Sequence, residues 1–452
     1  RPPQVSAAMV SPIIFAIATG IGLLTDKYML EATNFVEHYA VEMRPDQHQK
    51  EFIKSAMYAG AIGGMVTFGP LSDFFGRRIC LIACSVITLA GAVLSMCAWN
   101  VDVLILGRII TGIGMGGEYP LASTHSAESA KNSDDGARNV ALLYLFGSGG
   151  GPVLCDLITY LLDLSGMPPK YIWRSIFAGG SLLSLFGLVL RFITTKDSKK
   201  FKKAAKQTAK GTRRNFLRHY WRPVLGTSLI WLLFDMVEYG LKQNDAAIFA
   251  ADSKGPYRNS VLTVLATRCL VIPSLVVAPM LLQRMRSKWV QMLGFSGCIV
   301  ANFVLAMSYT DLKSMPLLFD ALYVLQLSFQ SLPGVTTMAI SAEIYPSAVR
   351  GTGSAISAAC GKVGAVIGSF FFTMMKEEGK ISEIFFTVTC TSTMALLLTM
   401  VLTPSYSGGT LDQAELLAEE GKTRAACAML YSGPQEHKDM EPSADATDSS
   451  DD

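Results

Sequence analysis

Long apolar runs recur along the whole chain and are separated by short charged loops. Each run has roughly 18 residues or more, enough to cross a bilayer core of about 30 Å as a helix. The runs recur too often for a signal peptide followed by a single anchor. Only 17% of the 452 residues are charged, too few to cover a soluble protein of this length. We therefore predict an all-α integral membrane protein with many spans.

We predict twelve transmembrane helices in two sets of six. The first set covers residues 8–31, 52–75, 79–99, 102–125, 138–163 and 172–194. The second set covers residues 223–250, 260–283, 288–309, 315–342, 353–375 and 382–403. Glycines and polar residues inside several spans indicate close helix packing and an interior cavity. Two sets of six are typical of a duplicated transporter with its site between the halves, although an ion channel or a polytopic enzyme could share the span count.

The loop between the sixth and seventh spans, residues 195–222, is long and strongly basic. It holds eleven Lys or Arg residues against one acid, Asp197. The positive-inside rule places this loop in the cytoplasm together with both termini, where it can also touch anionic lipid. The chain is therefore divided into an N-terminal half at 1–194, this basic linker, a C-terminal half at 223–403 and an acidic, mostly disordered tail at 404–452. A short amphipathic helix is predicted at 410–430.

The loop between the second and third spans has the pattern G-x-L-x-D-x-x-G-R-R. Gly69 and Gly76 allow a tight turn, and Asp73 can lie near a helix N-terminus. Arg77 and Arg78 can bind lipid headgroups or a neighbouring carboxylate. The pattern resembles the signature loop of the major facilitator superfamily. Further motifs of that superfamily follow in order at 107–108, 343–346, 350–351 and 404–411.

The seventh span carries Trp231, Asp235 and Tyr239 at a spacing of four residues. This spacing places an indole N–H, a carboxyl and a phenol on one helix stripe roughly 12 Å long. An unpaired carboxylate is costly in a bilayer, so Asp235 is predicted to be functional and to have a partner. Lys362, the only basic residue inside the eleventh span, is the obvious candidate; the alternative is that its side chain extends to a membrane interface.

The fourth and first spans carry further charges at membrane depth. Glu118 and Tyr119 follow a glycine-rich stretch, and Arg108 lies ten residues before Glu118. That distance is too long for a pair within one helix, so each charge is expected to find its partner on another helix. Asp26 lies either at the midplane or near the outer mouth, where the adjacent Lys27 could neutralise it.

Three segments together resemble the phosphate:proton symporter family of the major facilitator superfamily. They are W-x-x-x-D-x-x-x-Y-G-L-x-x-N at 231–244, G-G-E-Y-P at 116–120 and S-A-A-C-G-K-V-G-A at 357–365. The resemblance implies two pseudo-symmetric six-helix bundles and import of inorganic phosphate with protons by alternating access. The phosphate ligands it implies are Tyr119, Trp231, Asp235, Tyr239 and Lys362. The proton path it implies runs through Asp26, Arg108 and Glu118.

Several positions depart from that family. Ser148 is the nearest match to a glutamine ligand of the fifth span, and we include it among the candidate ligands. Val335 stands where the family has an asparagine, and Cys84 stands near the place of a third-span carboxylate. Glu238 and Lys242 add a possible i, i+4 ion pair to a stretch that is normally apolar.

Asp235 can also couple binding of the anion to binding of protons. The carboxylate and phosphate are both anionic and repel each other at short range in a medium of low dielectric constant. Binding therefore favours a state with at least one proton between them, while Lys362 offsets the remaining negative charge. With the two halves rocking about the site, proton-dependent binding becomes symport.

Two other functions stay open on the residues alone. One is a carrier for a sugar or an organic anion, and the other is a transport-like nutrient receptor. An enzyme is not expected, because the sequence shows no metal-ligand cluster, nucleophile elbow or P-loop, and no cofactor or metal is predicted. The expected partners are phosphate, protons and the lipid bilayer, without nucleic acid. We expect a monomer in the plasma membrane.

Overall fold

The computed structural model describes residues 12–195, 216–243, 257–312 and 314–431. Within those ranges the chain is helical and contains no β-strand. The first six spans are Pro12–Tyr39, Gln47–Phe75, Arg77–Met96, Val101–Glu128, Gly136–Leu164 and Pro169–Thr194. The next six are Trp221–Lys242, Tyr257–Arg284, Ser287–Met307, Pro316–Glu343, Arg350–Glu377 and Ile381–Leu402. The prediction of twelve helices in two sets of six is confirmed.

Most helix ends differ from the predicted ones by a few residues. The first span continues to Tyr39, beyond its predicted end at Glu31, so Glu31 lies well inside this helix and is buried. The single helix predicted near the C-terminus is two helices, Gly408–Glu419 and Thr423–Tyr431. Most of the basic linker and the acidic end of the tail, residues 196–215 and 432–452, lie outside the described residues.

Eight helices of the described part are long and apolar enough to cross a membrane. The other four are the first, second, fourth and tenth spans. In the fourth span every residue from Gly114 to Glu128 is buried, and in the tenth every residue from Gln330 to Glu343. These segments are surrounded by protein and not by lipid, which is why their composition can be more polar.

The two halves meet along five helix pairs: the second span packs against the eleventh, the fourth against the tenth and the eleventh, and the fifth against the eighth and the tenth. The fifth span is interrupted by a π-helical segment, Leu145–Gly150, between the α-helices Gly136–Tyr144 and Gly151–Leu164. Single π-helical turns inside α-helices are frequent at functional sites. This one lies at the interface of the halves and carries Ser148.

Close packing brings the eleventh span against the seventh. Gly361 lies on the indole of Trp231, and Gly364 and Gly368 lie on the backbone of the seventh span at Leu232 and Met236. A β-carbon at either of the last two positions would overlap that backbone. Small residues at such a seam let two helix axes approach closely. This close approach places the side chain of Lys362 in the eleventh span directly beside the carboxyl of Asp235 in the seventh span.

Candidate functional site

Asp235 lies between an ammonium group and an indole donor in the middle of the helix bundle. Lys362 Nζ donates to Asp235 Oδ2 at 2.7 Å and to the Tyr239 hydroxyl at 3.0 Å. Trp231 Nε1 donates to Asp235 Oδ1 at 3.2 Å. The structure therefore brings together the four residues that the sequence predicted on the seventh and eleventh spans. Lys362 points into the protein and not to a membrane interface, since it is only 1% exposed.

A second lysine, which the sequence analysis did not place in the site, joins this group from the first span. Lys27 Nζ donates to the Tyr239 hydroxyl at 2.7 Å. The ammonium groups of Lys27 and Lys362 each lie 5.2 Å from the ring centroid of Tyr119, whose ring is 6.0 Å from that of Trp231. Successive helix residues point about 100° apart, so Lys27 faces this group while Asp26 faces elsewhere.

The central cluster consists of Lys27, Tyr119, Trp231, Asp235, Tyr239 and Lys362, and none of these residues is more than 6% exposed. Its ionisable groups are two ammonium groups and one carboxyl. With all three ionised, the cluster carries one net positive charge away from water. A bound monoanion neutralises that charge, and its oxygens can take over hydrogen bonds that the lysines now give to Asp235 and Tyr239.

Ser148 lies beside the central cluster and not in it. With Tyr144 it lines a side cavity of about 60 Å³ between the fifth, seventh, eighth and tenth spans. Glu238, Lys242 and Arg268 contribute to the same wall. Glu238 and Lys242 form the ion pair that their spacing predicted. Because Glu238 lies one helical turn beyond Asp235, the side cavity adjoins the central cluster. Val335 is buried in the apolar core, so no amide is present at its position.

The three residues predicted for the proton path do not form one group. Glu118 pairs with Arg191 of the sixth span, with Arg191 Nη1 2.8 Å from Glu118 Oε2. Asp26 lies near this pair. Arg108 lies apart: it donates to Ser95 Oγ at 2.7 Å, and its guanidinium stacks on an aromatic ring. Among the described residues Arg108 has no carboxylate partner.

Arg191 is therefore a residue that the sequence analysis missed. It lies near the end of the sixth span, three residues before Thr194. An arginine at that position is equally consistent with a topology anchor at the membrane surface. Its burial separates the two interpretations, because the side chain is only 2% exposed and is surrounded by the third, fourth and sixth spans.

The signature loop ties the two halves together at one face of the bundle, the signature-loop face. Gly76 makes the turn with φ at 93°. Asp73 accepts hydrogen bonds from the backbone N–H groups of Gly351 and Thr352, at 3.0 and 2.8 Å. These amides begin the eleventh span, where the helix dipole favours a negative charge. The predicted placement of Asp73 near a helix N-terminus is confirmed, and that helix belongs to the other half.

The two arginines of this loop have different surroundings. Arg77 is fully buried and donates to Asp73 Oδ1 at 2.7 Å, to Glu128 Oε1 at 3.1 Å and to the carbonyl of Ser347 at 3.1 Å. Arg78 is exposed at the surface. Gly69 packs against the eleventh span at 351 and 355, which completes the contact between the halves.

Arg268 connects the halves on the opposite face. From the eighth span it reaches Glu31 Oε2 of the first span at 2.8 Å and Asp156 Oδ2 of the fifth span at 2.9 Å. The halves are thus joined on both faces, and the central cluster is enclosed between the two sets of contacts. In this conformation the cluster opens to neither face of the bundle.

Comparisons with known proteins agree with this arrangement. Residues 5–369 match the model of the Major Facilitator Superfamily. Inorganic phosphate transporter PT2 of Toxoplasma gondii is 29% identical over 360 residues, which cover 77% of this chain and 63% of that protein. Glycerophosphoinositol permease 1 of Candida albicans is 26% identical over 427 residues, covering 90% of this chain and 80% of the permease.

Among solved structures, the proton:xylose symporter XylE superposes with a TM-score of 0.79 at 17% identity, over 88% of this chain and 97% of that one. The predicted major facilitator fold is confirmed, and so is the predicted resemblance to phosphate transporters of that superfamily. The relatives are transporters and not enzymes, as the sequence predicted. The chain belongs to the Major Facilitator Superfamily and is an integral membrane transporter.

Proposed function

We propose that the chain imports inorganic phosphate together with protons by alternating access. The observation that carries this proposal is the approach of Lys27 and Lys362 to one phenol oxygen, that of Tyr239, at 2.7 and 3.0 Å. Two ammonium groups so close together inside a membrane protein repel each other and are costly unless an anion joins them. The similarity to an inorganic phosphate transporter supports phosphate as that anion.

Phosphate matches the donors of the central cluster in number and geometry. It presents four oxygens in a tetrahedron, and the cluster offers two ammonium groups, two phenols and an indole N–H. Asp235 cannot donate unless it is protonated, and as a carboxylate it repels the anion. The lowest-energy complex therefore contains a proton between Asp235 and phosphate, so that phosphate and proton are bound together.

Alternating access follows from the contacts on the two faces. Opening one face requires that the bonds of Asp73 to the eleventh span and of Arg77 to the Ser347 carbonyl break. Opening the other requires that Arg268 leave Glu31 and Asp156. We place the signature-loop face in the cytoplasm, since the sixth span ends there beside Arg78 and the basic linker follows it in the sequence. We also place the transporter in the plasma membrane as a monomer, with both termini in the cytoplasm.

The side cavity supports a second candidate substrate, a phosphate ester whose alcohol group occupies it. Its wall carries donors and acceptors for hydroxyl groups, notably Ser148, Glu238 and Lys242. Ser148 in place of a longer amide leaves this space open beside the central cluster. The similarity to a glycerophosphoinositol permease over 90% of the chain supports this reading. In both cases the phosphoryl group binds between the lysines.

Uptake of radiolabelled phosphate into proteoliposomes tests the main proposal. Lowering the external pH by about one unit adds about 1.4 kcal/mol of driving force for each coupled proton, so accumulation should rise roughly tenfold for one proton. Arsenate should compete with phosphate, whereas glucose should not. Uptake that is indifferent to external pH would refute proton coupling, and uptake blocked by glucose but not by arsenate would refute the phosphate site.

A single substitution separates the two candidate substrates. Ser148→Gln fills the side cavity and introduces the glutamine that the phosphate:proton symporter family has in the fifth span. We expect it to leave phosphate uptake within about twofold of wild type. Uptake of glycerophosphoinositol should fall roughly tenfold, because the alcohol group of this ester no longer has room in the side cavity. Val271→Leu, on the same cavity wall, adds volume without an amide and should also lower uptake of glycerophosphoinositol but not of phosphate. If Ser148→Gln lowers both uptakes equally, the side cavity does not select the substrate.

A further inference from the structure

A buried ion pair at the sixth span has no role in the binding of the anion. Arg191 donates to both carboxylate oxygens of Glu118, to Ser85 Oγ at 2.5 Å and to the carbonyl of Leu81 at 3.3 Å. Arg191 and Glu118 are each 2% exposed. The pair therefore holds the third, fourth and sixth spans together in a region from which water is excluded.

The first span is packed directly onto this pair. A β-carbon at Gly22 would overlap both the Glu118 carboxylate and the Arg191 guanidinium. Asp26 follows Gly22 by one helical turn and lies on the same face of the helix. Because Gly22 has no side chain, the first span approaches the ion pair closely, and the carboxyl of Asp26 lies beside the pair.

Asp26 itself is 1% exposed, and neither of its carboxyl oxygens has a hydrogen-bond partner among the described residues. The charged and titratable groups around it are Glu118 and Tyr119 of the fourth span, Arg191 of the sixth, Cys84 of the third and its own neighbour Lys27. The Lys27 ammonium is bound to Tyr239. Burying a neutral carboxyl at this position costs much less free energy than burying an ionised carboxylate without a partner.

We infer that Arg191 couples proton release to the change of conformation: it holds Glu118 while Asp26 carries a proton, and it turns to Asp26 when that proton leaves. This inference rests on the proposed proton-coupled transport, and the proton on Asp26 is additional to the one bound with phosphate at Asp235. The guanidinium has two edges of donors and can bridge two carboxylates or move between them. Loss of the Glu118–Arg191 pair frees the fourth span from the sixth and removes the surface on which Gly22 packs. Arg191 is a positioning residue here, because the proton is on Asp26.

Arg108, which the family resemblance assigned to the proton path, lacks the geometry for this role. Its guanidinium is held by Ser95 Oγ at 2.7 Å and by the carbonyl of Met29 at 3.3 Å. It also stacks on the ring of Phe177 at 4.3 Å. These groups are neutral, so a change of charge on Asp26 offers Arg108 no exchange of partners within the described part of the chain.

The test compares two modes of transport by the purified full chain in proteoliposomes. Counterflow at equal pH measures exchange of phosphate without net movement of protons, and accumulation under a pH gradient measures coupling. The variant Glu118→Gln with Arg191→Gln removes both charges, which is often tolerated in buried pairs, and should keep counterflow within about threefold of wild type. The accumulation that one pH unit drives should fall roughly tenfold relative to wild type, because the proton on Asp26 no longer contributes while the proton bound with phosphate at Asp235 still does. Asp26→Asn should show the same separation of the two modes.

Arg174→Gln is the matched control on the same span, since Arg174 pairs with Glu42 at 2.7 Å and lies away from Asp26. Both modes should stay near wild type in this variant. The inference is overturned if the double variant keeps the full wild-type level of pH-driven accumulation, because the pair would then be only structural. Wild type without counterflow would instead contradict the proposed function, so the two failures can be told apart. Should the double variant not fold, Asp26→Asn with the full wild-type level of pH-driven accumulation would overturn the inference as well.

Discussion

Lys362→Met is expected to lower phosphate uptake at least a hundredfold. The substitution removes the cation that lies 2.7 Å from Asp235 and leaves that carboxylate buried without a charged partner. Breaking a buried pair by removing one member costs about 3–5 kcal/mol, which corresponds to a factor of roughly a hundred to several thousand. It also removes one of the two ammonium groups that bind the anion. The measurement is the initial rate of radiolabelled phosphate uptake, divided by the amount of transporter in the membrane.

Two other lysines make this prediction specific. Lys27→Met should raise KM roughly tenfold with a smaller loss of rate, because Lys27 is bonded to a neutral phenol and its removal leaves no unpaired carboxylate. Lys380→Met should change nothing, since Lys380 pairs with Glu378 at the surface and is about half exposed. Asp235→Asn combined with Lys362→Met tests folding, because no carboxylate is then left buried without its cation. A double variant that transports like wild type would show that neither residue binds substrate.

Arg77→Met is expected to open the signature-loop face. Arg77 is fully buried and bridges Asp73, Glu128 and the carbonyl of Ser347, so its loss leaves two carboxylates without their shared cation. The closed arrangement should lose about 3 kcal/mol or more relative to the open one. The amides of Gly351 and Thr352, which now donate to Asp73, then become accessible to water.

Hydrogen exchange followed by mass spectrometry measures this opening on the native protein. Exchange of the peptide that starts the eleventh span should become roughly a hundredfold faster in Arg77→Met, in proportion to the population of the open state. Uptake should fall as well, because the transporter rests open to one side. Arg78→Met is the matched control: the neighbouring arginine is exposed, and its loss should leave exchange within about twofold. Equal exchange in both variants would show that Arg77 does not hold the face closed.

The outline of the fold follows directly from the sequence. Each span needs only a long enough run of apolar residues, and such a run can be recognised without knowing what packs around it. The signature loop was equally readable, because its glycines, aspartate and arginines are consecutive. The differences are the ends of helices and the division of the C-terminal helix into two. Polar residues such as Glu31 can continue a helix inside the bundle when a partner such as Arg268 is present on another span.

The central cluster was predictable in part. Asp235 and Lys362 stand out because each is a charge in an apolar helix, and each requires a partner of opposite sign. Lys27 carries the same signal, but the adjacent Asp26 offered a simpler local explanation. The structure separates the two side chains by the rotation of the helix: Lys27 faces Tyr239, and Asp26 faces Glu118 and Arg191.

The sequence by itself determined that this chain spans a membrane with twelve helices, and that a carboxylate and an ammonium group lie at depth in its second half. Only the tertiary structure decided which charges meet: Lys27 joins the central cluster, Arg191 takes Glu118, and Ser148 lines a neighbouring cavity. The physical reason is that insertion into a bilayer depends on consecutive residues, whereas the pairing of buried charges depends on how separate helices are rotated and how closely they pack.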